Sequence, residues 1–351
     1  MTQVVDRLAD LTGFRDRDLL DVNLAGVLHE LLQPLSVAIY RCVGEASDRR
    51  WLTRARLDAQ DAVAMADPIW TPLEALPSVA QFPAREQALL AQDVVLLPGR
   101  PCLAVFPLFS DHQVAGVLEI ETTQDLSAAA FRQVGSILRV FRNFQSLLDY
   151  SERDTLTGLL NRKTFDDAFN RLALPAAPLP AASAEAEARL DAAGQRSPPG
   201  TAQAHFIGVL DIDHFKRVND GFGHLIGDEV LLLLSRLMRS VFRYHDRLYR
   251  FGGEEFVVLM RCRSDTDAGL ALQRLRSAVN AFAFPQVGAI TVSMGYAEVL
   301  PGDTPSQAFD RADRAVYWAK HHGRDQVCSY AALTAQGDLL DDTKVGDVEL
   351  F

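Results

Sequence analysis

The 351 residues suffice for two domains of ordinary size, each with its own core. With 48% hydrophobic and 23% charged residues the composition is globular, which excludes a disordered or collagen-like chain, and the formal charge of −11 argues against a dedicated nucleic-acid binder. No apolar run approaches the roughly 18 residues of a membrane span; the densest stretch is Val230–Leu234. The first residues, MTQVVDRLAD, lack the basic start and apolar core of a signal peptide. Cys42, Cys102, Cys262 and Cys328 are far apart and form no CxxC pair, so neither a zinc site nor a disulfide framework is expected and a reducing cytoplasm fits best. The acidity is spread evenly. Residues 1–150 hold 13 Arg and no Lys against 19 Asp and Glu, net −6; the remaining residues, with 22 basic against 27 acidic, carry net −5.

Residues 3–32 read as helix and Leu35–Val43 as a strand. Leu103–Phe109 and Val114–Glu121 read as two strands joined by the polar turn Ser110–Gln113. A helix is predicted over Ser127–Tyr150. Phe131, Val134, Leu138, Phe141 and Leu148 make one apolar stripe, with Gln145 in register, and Ile137, Val140, Phe144 and Leu147 make a second. One stripe would pack on its own domain and the other on a partner chain; the alternative is a helix buried on both sides within a monomer. From Leu174 to Gln203, 15 of 30 residues are Ala or Pro, a surface excursion that cannot form a packed core.

The second half begins at Glu152. Phe206–Ile212 is a continuous apolar run ending in acid, the pattern of a central strand. Gly227–Arg243 is helical in pattern, with Asp228 and Glu229 in its first turn, where carboxylates favour the helix dipole. Leu248–Phe251 and Glu254–Met260 flank Gly252-Gly253, a strong hairpin signal because both glycines tolerate positive φ. Ala289–Ala297 reads as a further strand and Pro305–His321 as a further helix. The half is predicted to be α+β, a mainly antiparallel sheet covered by helices. The stretch 331–351 is acidic (Asp338, Asp341, Asp342, Asp347 and Glu349 against Lys344) and expected to be loosely attached.

Acidic residues here fall at element ends. Asp211 and Asp213 close the buried strand, and Glu254 and Glu255 follow the Gly-Gly pair. If strand and hairpin are neighbours, Asp211 and Glu254 converge, and two hard carboxylates beside a backbone carbonyl suit Mg²⁺. Taken alone, paired acids at a strand end are more often ordinary surface residues.

Five segments in order are specific: Asp154-Thr-Leu-Thr-Gly-Leu-Leu-Asn161-Arg162, Asp211-Ile-Asp-His-Phe-Lys216-Arg-Val-Asn219-Asp220, Gly223-His224-Leu-Ile-Gly227-Asp228, Gly252-Gly-Glu-Glu-Phe256, and Ala312-Asp313-Arg-Ala-Val-Tyr317-Trp-Ala-Lys320-His-His-Gly323-Arg324. Together they resemble the GGDEF family of diguanylate cyclases, with Glu in the variable third position, over Glu152–Tyr330 apart from the Ala/Pro excursion. The resemblance implies a palm-like nucleotidyl-cyclase fold that condenses two GTP into cyclic di-GMP with release of two pyrophosphates. It implies that Asp211, the Ile212 carbonyl and Glu254 hold Mg²⁺, or Mn²⁺ in its place. Glu255, with Glu254, would serve the chemistry, Glu255 helping to deprotonate the attacking 3′-hydroxyl. Asn219 and Asp228 would read guanine; a carboxylate can accept from both its N1–H and its 2-amino group. Phe215, Lys216, His224, Gly252, Gly253, Lys320 and Arg324 complete the substrate set, Lys320 and Arg324 four apart near a helix end to meet the terminal phosphates. Asp154 and Arg162 would link the incoming helix to the catalytic domain.

Arg243-Tyr-His-Asp246, shortly before Gly252, matches the family's RxxD inhibitory site for cyclic di-GMP, although RxxD alone is common and surface ion pairing is its simpler explanation. His214 and His224 have no Cys or His partner at metal spacing. Trp51, Trp70 and Trp318 read as packing residues, and Cys42 and Cys102 as core. One domain holds one GTP, so a homodimer is implied, and residues 1–150 would set its geometry. Their order of helix, strand, hairpin and exit helix resembles a GAF sensor domain, with a PAS-like domain as runner-up, answering an unidentified small-molecule or protein signal. Neither nucleic acid nor membrane is expected as a partner. The competing reading is a non-catalytic cyclic di-GMP receptor; such proteins usually lose signature acids that are all present here.

Overall fold

A computed structural model describes residues 17–44, 48–61, 63–68, 71–109, 114–173 and 204–339. The turn 110–113, Trp70, the Ala/Pro-rich stretch 174–203 and the acidic residues beyond 339 lie outside the described residues. The chain divides into two units, Met1–Ser151 and Glu152–Phe351. No described helix is long and apolar enough to cross a membrane.

In the first unit α1 (Arg17–Leu32) leads into β1 (Ser36–Val43) and β2 (Arg50–Asp58); α2 (Pro83–Ala91), β3 (Val95–Leu97), β4 (Cys102–Phe109), β5 (Val114–Thr122) and α3 (Ala128–Glu152) follow. The sheet is antiparallel in the order β2-β1-β5-β4-β3. Alternation along β1 sends Val37 and Ile39 to one face, against Leu20, Leu24 and Leu28 of α1 and Val134, Ile137 and Phe141 of α3. It sends Ala38 and Tyr40 to the other, with Trp51, Val105 and Val117 beneath Ala88 and Leu89 of α2. On that second face buried Arg85 donates to Glu119 at 2.6 and 3.0 Å and lies 3.5 Å from the Tyr40 ring centroid.

Two expectations change in this unit. The strand β2 adds to the predicted elements: Arg54, Arg56 and Asp58 alternate with buried Ala55 and Leu57, but Trp51 and Leu52 are both buried and a bulge at Arg54 breaks the register. The two stripes of α3 are one seam drawn from both: Val134, Ile137, Phe141, Gln145 and Leu148 are buried, at 3- and 4-residue spacing, whereas Leu147 and Tyr150 are 66% and 80% exposed.

The second unit runs β6 (Leu160–Asn161), α4 (Arg162–Ala173), β7 (Ala204–Ile212), α5 (Phe215–Phe222), α6 (His224–Val241), β8 (Arg247–Gly252), β9 (Glu255–Cys262), α7 (Asp265–Ala281), β10 (Val292–Glu298), α8 (Pro305–His321), β11 (Val327–Ser329) and α9 (Tyr330–Gln336). The sheet order is β11-β10-β7-β9-β8-β6; only the outer pairs β10/β11 and β6/β8 are parallel. The central strand β7 is apolar on both faces because both are covered. Phe206, Leu210 and Ile212 meet Val230, Leu234 and Met238 of α6 and Leu272 and Leu275 of α7. Ile207 and Val209 meet Phe165 and Phe169 of α4 and the alanines Ala308, Ala312, Ala315 and Ala319 of α8. The α+β expectation holds.

Three boundaries move. The helix α6 starts at His224, because Gly223 (φ 84°, ψ 160°) ends α5 and the chain re-enters a helix at once; Asp228 and Glu229 therefore lie in its second turn, away from the dipole end. The hairpin turn is Gly253-Glu254 rather than Gly252-Gly253, since a bulge before Gly252 places that glycine opposite Glu255. The start of the acidic stretch is ordered: Ser329 caps α9 by accepting from the Ala332 N–H, and Leu333 is buried.

The small residues of α8 bring its backbone against β10. A Cβ on Gly295 would collide with the Ala312 carbonyl oxygen and the Val316 nitrogen, both main chain, whereas a Cβ on Gly208 would meet only the Val258 and Leu272 side chains. Gly295→Ala is expected to lower the stability of this unit by about 3 kcal/mol and Gly208→Ala by about 1 kcal/mol or less, measured by urea unfolding.

Candidate active site at the carboxyl end of β7

The register of the sheet assembles the site. Asp211 lies opposite Glu255 on β9 and Ser293 on β10, and Glu254 sits in the adjoining hairpin turn. The turn is held from outside. Arg250 donates to the Gly253 carbonyl at 2.9 and 3.1 Å, and its other nitrogen reaches Asp154 Oδ1 at 2.9 Å. Burial alone would raise the Asp154 carboxyl, but hydrogen bonds from Thr157 and Arg250 leave it below the ordinary aspartate value. Asp154 is thus bound to the signature hairpin, a link that the sequence reading located only as a connection to the incoming helix. Arg162 lies with its guanidinium 5.4 Å from the Phe251 ring centroid.

Four carboxyls share this end of the sheet. Burial raises Asp211, Glu254, Glu255 and Asp313 above their ordinary values. Asp211 pushes Glu254 and Glu255 up further, and Asp313 does the same to Glu255. Lys320 opposes this, its Nζ 2.7 Å from Asp211 Oδ2. An ammonium standing against that carboxylate, among hard oxygen donors, is what a site for a small divalent cation looks like, so the residues present fit Mg²⁺. Among the described residues no three His, Cys, Asp or Glu side chains gather closely enough to hold a metal by themselves, so such an ion would draw on backbone, water and phosphate oxygens as well. Asp313 belongs to the last of the five segments, and its share in this charge cluster was not foreseen.

The residues expected to face a nucleotide separate into exposed and buried. Lys216, His224 and Asp228 are exposed, while Asn219 is partly buried. Gly227 has a packing reason: a Cβ there would strike Asn219 Oδ1 and approach Phe215. Phe215, expected among the substrate contacts, is 5% exposed and packs in the core, so its ring supports α5 and only its main chain is left to meet a ligand. Ile212 is likewise a core side chain at the last position of β7.

Lys320 and Arg324 do not share a helix turn. The helix α8 ends at His321, and Gly323, Arg324 and Asp325 follow with φ of 104°, 60° and 43°. For the two non-glycine residues that backbone costs about 1–2 kcal/mol each. Arg324 Nε lies 4.0 Å from Oδ1 of Asp213, a carboxylate that the sequence reading left without a role. Asp213 is buried and accepts from Thr291 Oγ1 (2.6 Å), Ser293 Oγ (2.7 Å) and the Asp325 N–H (3.1 Å).

Arg243 and Asp246 lie in the turn between α6 and β8. Arg243 is exposed, but the Asp246 side chain is only 7% exposed and accepts from the Arg243 N–H at 2.9 Å. Its carboxylate closes the turn that presents Arg243, a structural duty that the bare spacing did not disclose.

With this geometry described, comparison with known proteins finds similarity in the second half of the chain. Residues 184–326 match the family model for "Diguanylate cyclase, GGDEF domain". Diguanylate cyclase DgcP of Pseudomonas aeruginosa is 45% identical over 124 residues, 34% of this chain and 18% of that protein. Diguanylate cyclase DgcZ of Escherichia coli is 33% identical over 179 residues, 50% of this chain and 52% of that one. Response regulator PleD of Caulobacter vibrioides is 34% identical over 196 residues, 54% of this chain and 38% of that one. The chain thus spans about half or less of the length of these relatives. Among solved structures, the GGDEF domain of DgcB from Caulobacter crescentus in complex with c-di-GMP aligns at 32% identity and a TM-score of 0.41, covering 52% of this chain and 96% of that one. The family-model match lies wholly within the second unit of this chain, and the relatives it resembles carry the name diguanylate cyclase.

Burial pushes the Asp246 carboxyl up to about 6, above its unfolded value near 3.9. Between these values the folded state binds the extra proton, so this group adds stability as the pH falls through 6 and withdraws it as the pH rises. Compared with Asp246→Asn, wild type is expected to gain about 1 kcal/mol on going from pH 7.5 to pH 5, measured by urea unfolding at both pH values. Equal pH dependence in the two proteins would show that Asp246 does not titrate there.

Proposed function

We propose that the chain is a diguanylate cyclase, condensing two GTP molecules into cyclic di-GMP and two pyrophosphates. The observation that carries this reading is the meeting of Asp211, Glu254 and Glu255 with Lys320 at one end of the sheet of a GGDEF domain. Asp211, the Ile212 carbonyl and Glu254 would hold Mg²⁺, or Mn²⁺ in its place. When bound, that ion supplies electrostatic stabilisation of the charge that develops on the leaving pyrophosphate.

The protein's own groups do the positioning. Asp228 accepts from the guanine N1–H and 2-amino group, and Asn219 supplies a complementary donor and acceptor. The first turn of α5 has no side-chain cap, which leaves main-chain N–H groups at Phe215 and Lys216 for phosphate oxygens. Gly252 and Gly253, at φ of 144° and 52°, keep the hairpin free of Cβ atoms beside the triphosphate. Lys320 and Arg324 neutralise the terminal phosphates, with Lys216 assisting and His224 near the base. Glu255 receives the 3′-hydroxyl proton.

Each domain holds one GTP, so the reaction is assigned to a homodimer in which two half-sites face each other. The first unit, an antiparallel five-stranded sheet with helices packed on both faces, is read as a GAF-like or PAS-like sensor that answers a small-molecule or protein signal. The exposed Leu147 and Tyr150 near the end of α3 are available for pairing with a second chain. Arg243, presented by the Asp246 turn, is assigned to product inhibition by cyclic di-GMP, and the protein is placed in the cytoplasm. A non-catalytic cyclic di-GMP receptor is the competing reading, to which the full set of acids gives no support.

Dimeric protein incubated with GTP and Mg²⁺ is expected to form cyclic di-GMP, detected chromatographically, and Glu254→Ala/Glu255→Ala to lower the rate at least about a thousandfold. Binding of cyclic di-GMP without turnover by a verified dimer would favour the receptor. Arg243→Ala is expected to raise the product concentration for half-inhibition roughly tenfold through loss of charge-assisted hydrogen bonds. An unchanged value would take the inhibitory site away from Arg243.

A further inference from the structure

We infer that Asp213, Arg276 and Asn280 are positioning residues for Arg324, a step that rests on the reading of Arg324 as a ligand of the GTP phosphates. Arg324 is the middle of three consecutive left-handed residues, between Gly323 and Asp325. A chain leaves that conformation unless its surroundings over-determine it, and residues so held concentrate at functional sites. The restraints come from both sides. On the sheet side the Asp325 N–H donates to Asp213, whose carboxylate is itself fixed to the start of β10 by Thr291 and Ser293.

On the helix side, Arg276 and Asn280 stand one turn apart on α7. Arg276 Nη1 donates to the Asp325 carbonyl at 2.7 Å and pairs with its carboxylate at 3.0 Å. Asn280 Nδ2 reaches the two carboxylate oxygens at 3.0 and 3.1 Å. The Arg324 N–H closes back on the Ala319 carbonyl, and the Met294 N–H takes the Gln326 carbonyl, so both ends of the loop are tied as well. Asp325 is thus gripped from α7 and from the end of β7 at once.

What this grip leaves over is the Arg324 side chain. It is 42% exposed and, at 4.0 Å, lies beyond hydrogen-bond reach of Asp213. Its guanidinium therefore extends from a fixed backbone, with its donors not consumed by Asp213. A flexible loop would have to order this residue each time a triphosphate bound; the clamp removes that cost beforehand. The helix α7 supplies no other residue to the proposed site, so Arg276 and Asn280 act only through Asp325.

The test uses the full chain with 3′-deoxy-GTP and Mg²⁺, a pair that can bind but cannot cyclise, and reads the dissociation constant by calorimetry. Arg276→Ala/Asn280→Ala is expected to weaken binding on the order of tenfold. Adding the same two changes to Arg324→Ala is expected to cost nothing beyond Arg324→Ala alone, since the clamp then has nothing to aim. Asn280→Asp, an exposed change that sets two carboxylates against each other, carries the same expectation should the double variant not fold. Wild-type affinity in a folded clamp variant, or losses that add to that of Arg324→Ala, would overturn the inference and leave the cyclase reading standing. Failure of the wild-type chain to bind 3′-deoxy-GTP would remove both.

Discussion

The sheet of the second unit concentrates negative charge at one end, and most of what surrounds that end can be understood as a response to it. Asp211 and Glu255 are cross-strand neighbours, Glu254 occupies the turn beside them, and Asp313 faces them from α8. Like charges directly opposite one another destabilise a sheet. Burial is the main reason all four carboxyls hold their protons more tightly than usual, and neighbouring carboxylates add to it. Lys320 compensates in part. A fold that keeps such an arrangement is poised for more positive charge, which the proposed Mg²⁺ would supply.

The scaffold around the cluster is correspondingly stiff. Asp154, Thr157 and Arg250 fix the hairpin from one side, and Asp213, Thr291 and Ser293 fix the ends of β7 and β10 from the other. In each case a carboxylate accepts several hydrogen bonds, which hold it in place. The acids that would meet metal have fewer donors and raised proton affinity; the acids that hold the backbone have many. That division of labour separates Asp211 from Asp213, which are two residues apart in sequence.

Much of the site was legible because its parts are local. The Gly252-Gly253 pair, the acids around it and the apolar run into Asp211 are short patterns whose geometry follows from backbone rules, and five ordered segments carry the resemblance to the GGDEF family. The hairpin turn was misplaced by one residue because a bulge depends on the partner strand. Phe215 was taken for a ligand contact although its ring is core, since a motif does not say which atoms of a residue it needs. Strand β2 is broken by a bulge and by adjacent buried Trp51 and Leu52, and the two stripes of α3 merged into one seam. In both, the burial pattern is decided by neighbours far along the chain.

By itself the sequence determined the α+β character of the second unit, its central strand and its hairpin, and put Asp211, Glu254 and Glu255 at the ends of those elements. All of these rest on residue type and spacing within a few turns or strands. Only the tertiary structure decided that Lys320 pairs with Asp211, that Asp246 is spent on a turn, and that Asp325 is clamped between Asp213 and α7. Those contacts join residues 109, 112 and 45–49 positions apart or depend on burial. Neither long-range proximity nor exclusion from water is encoded in any local pattern.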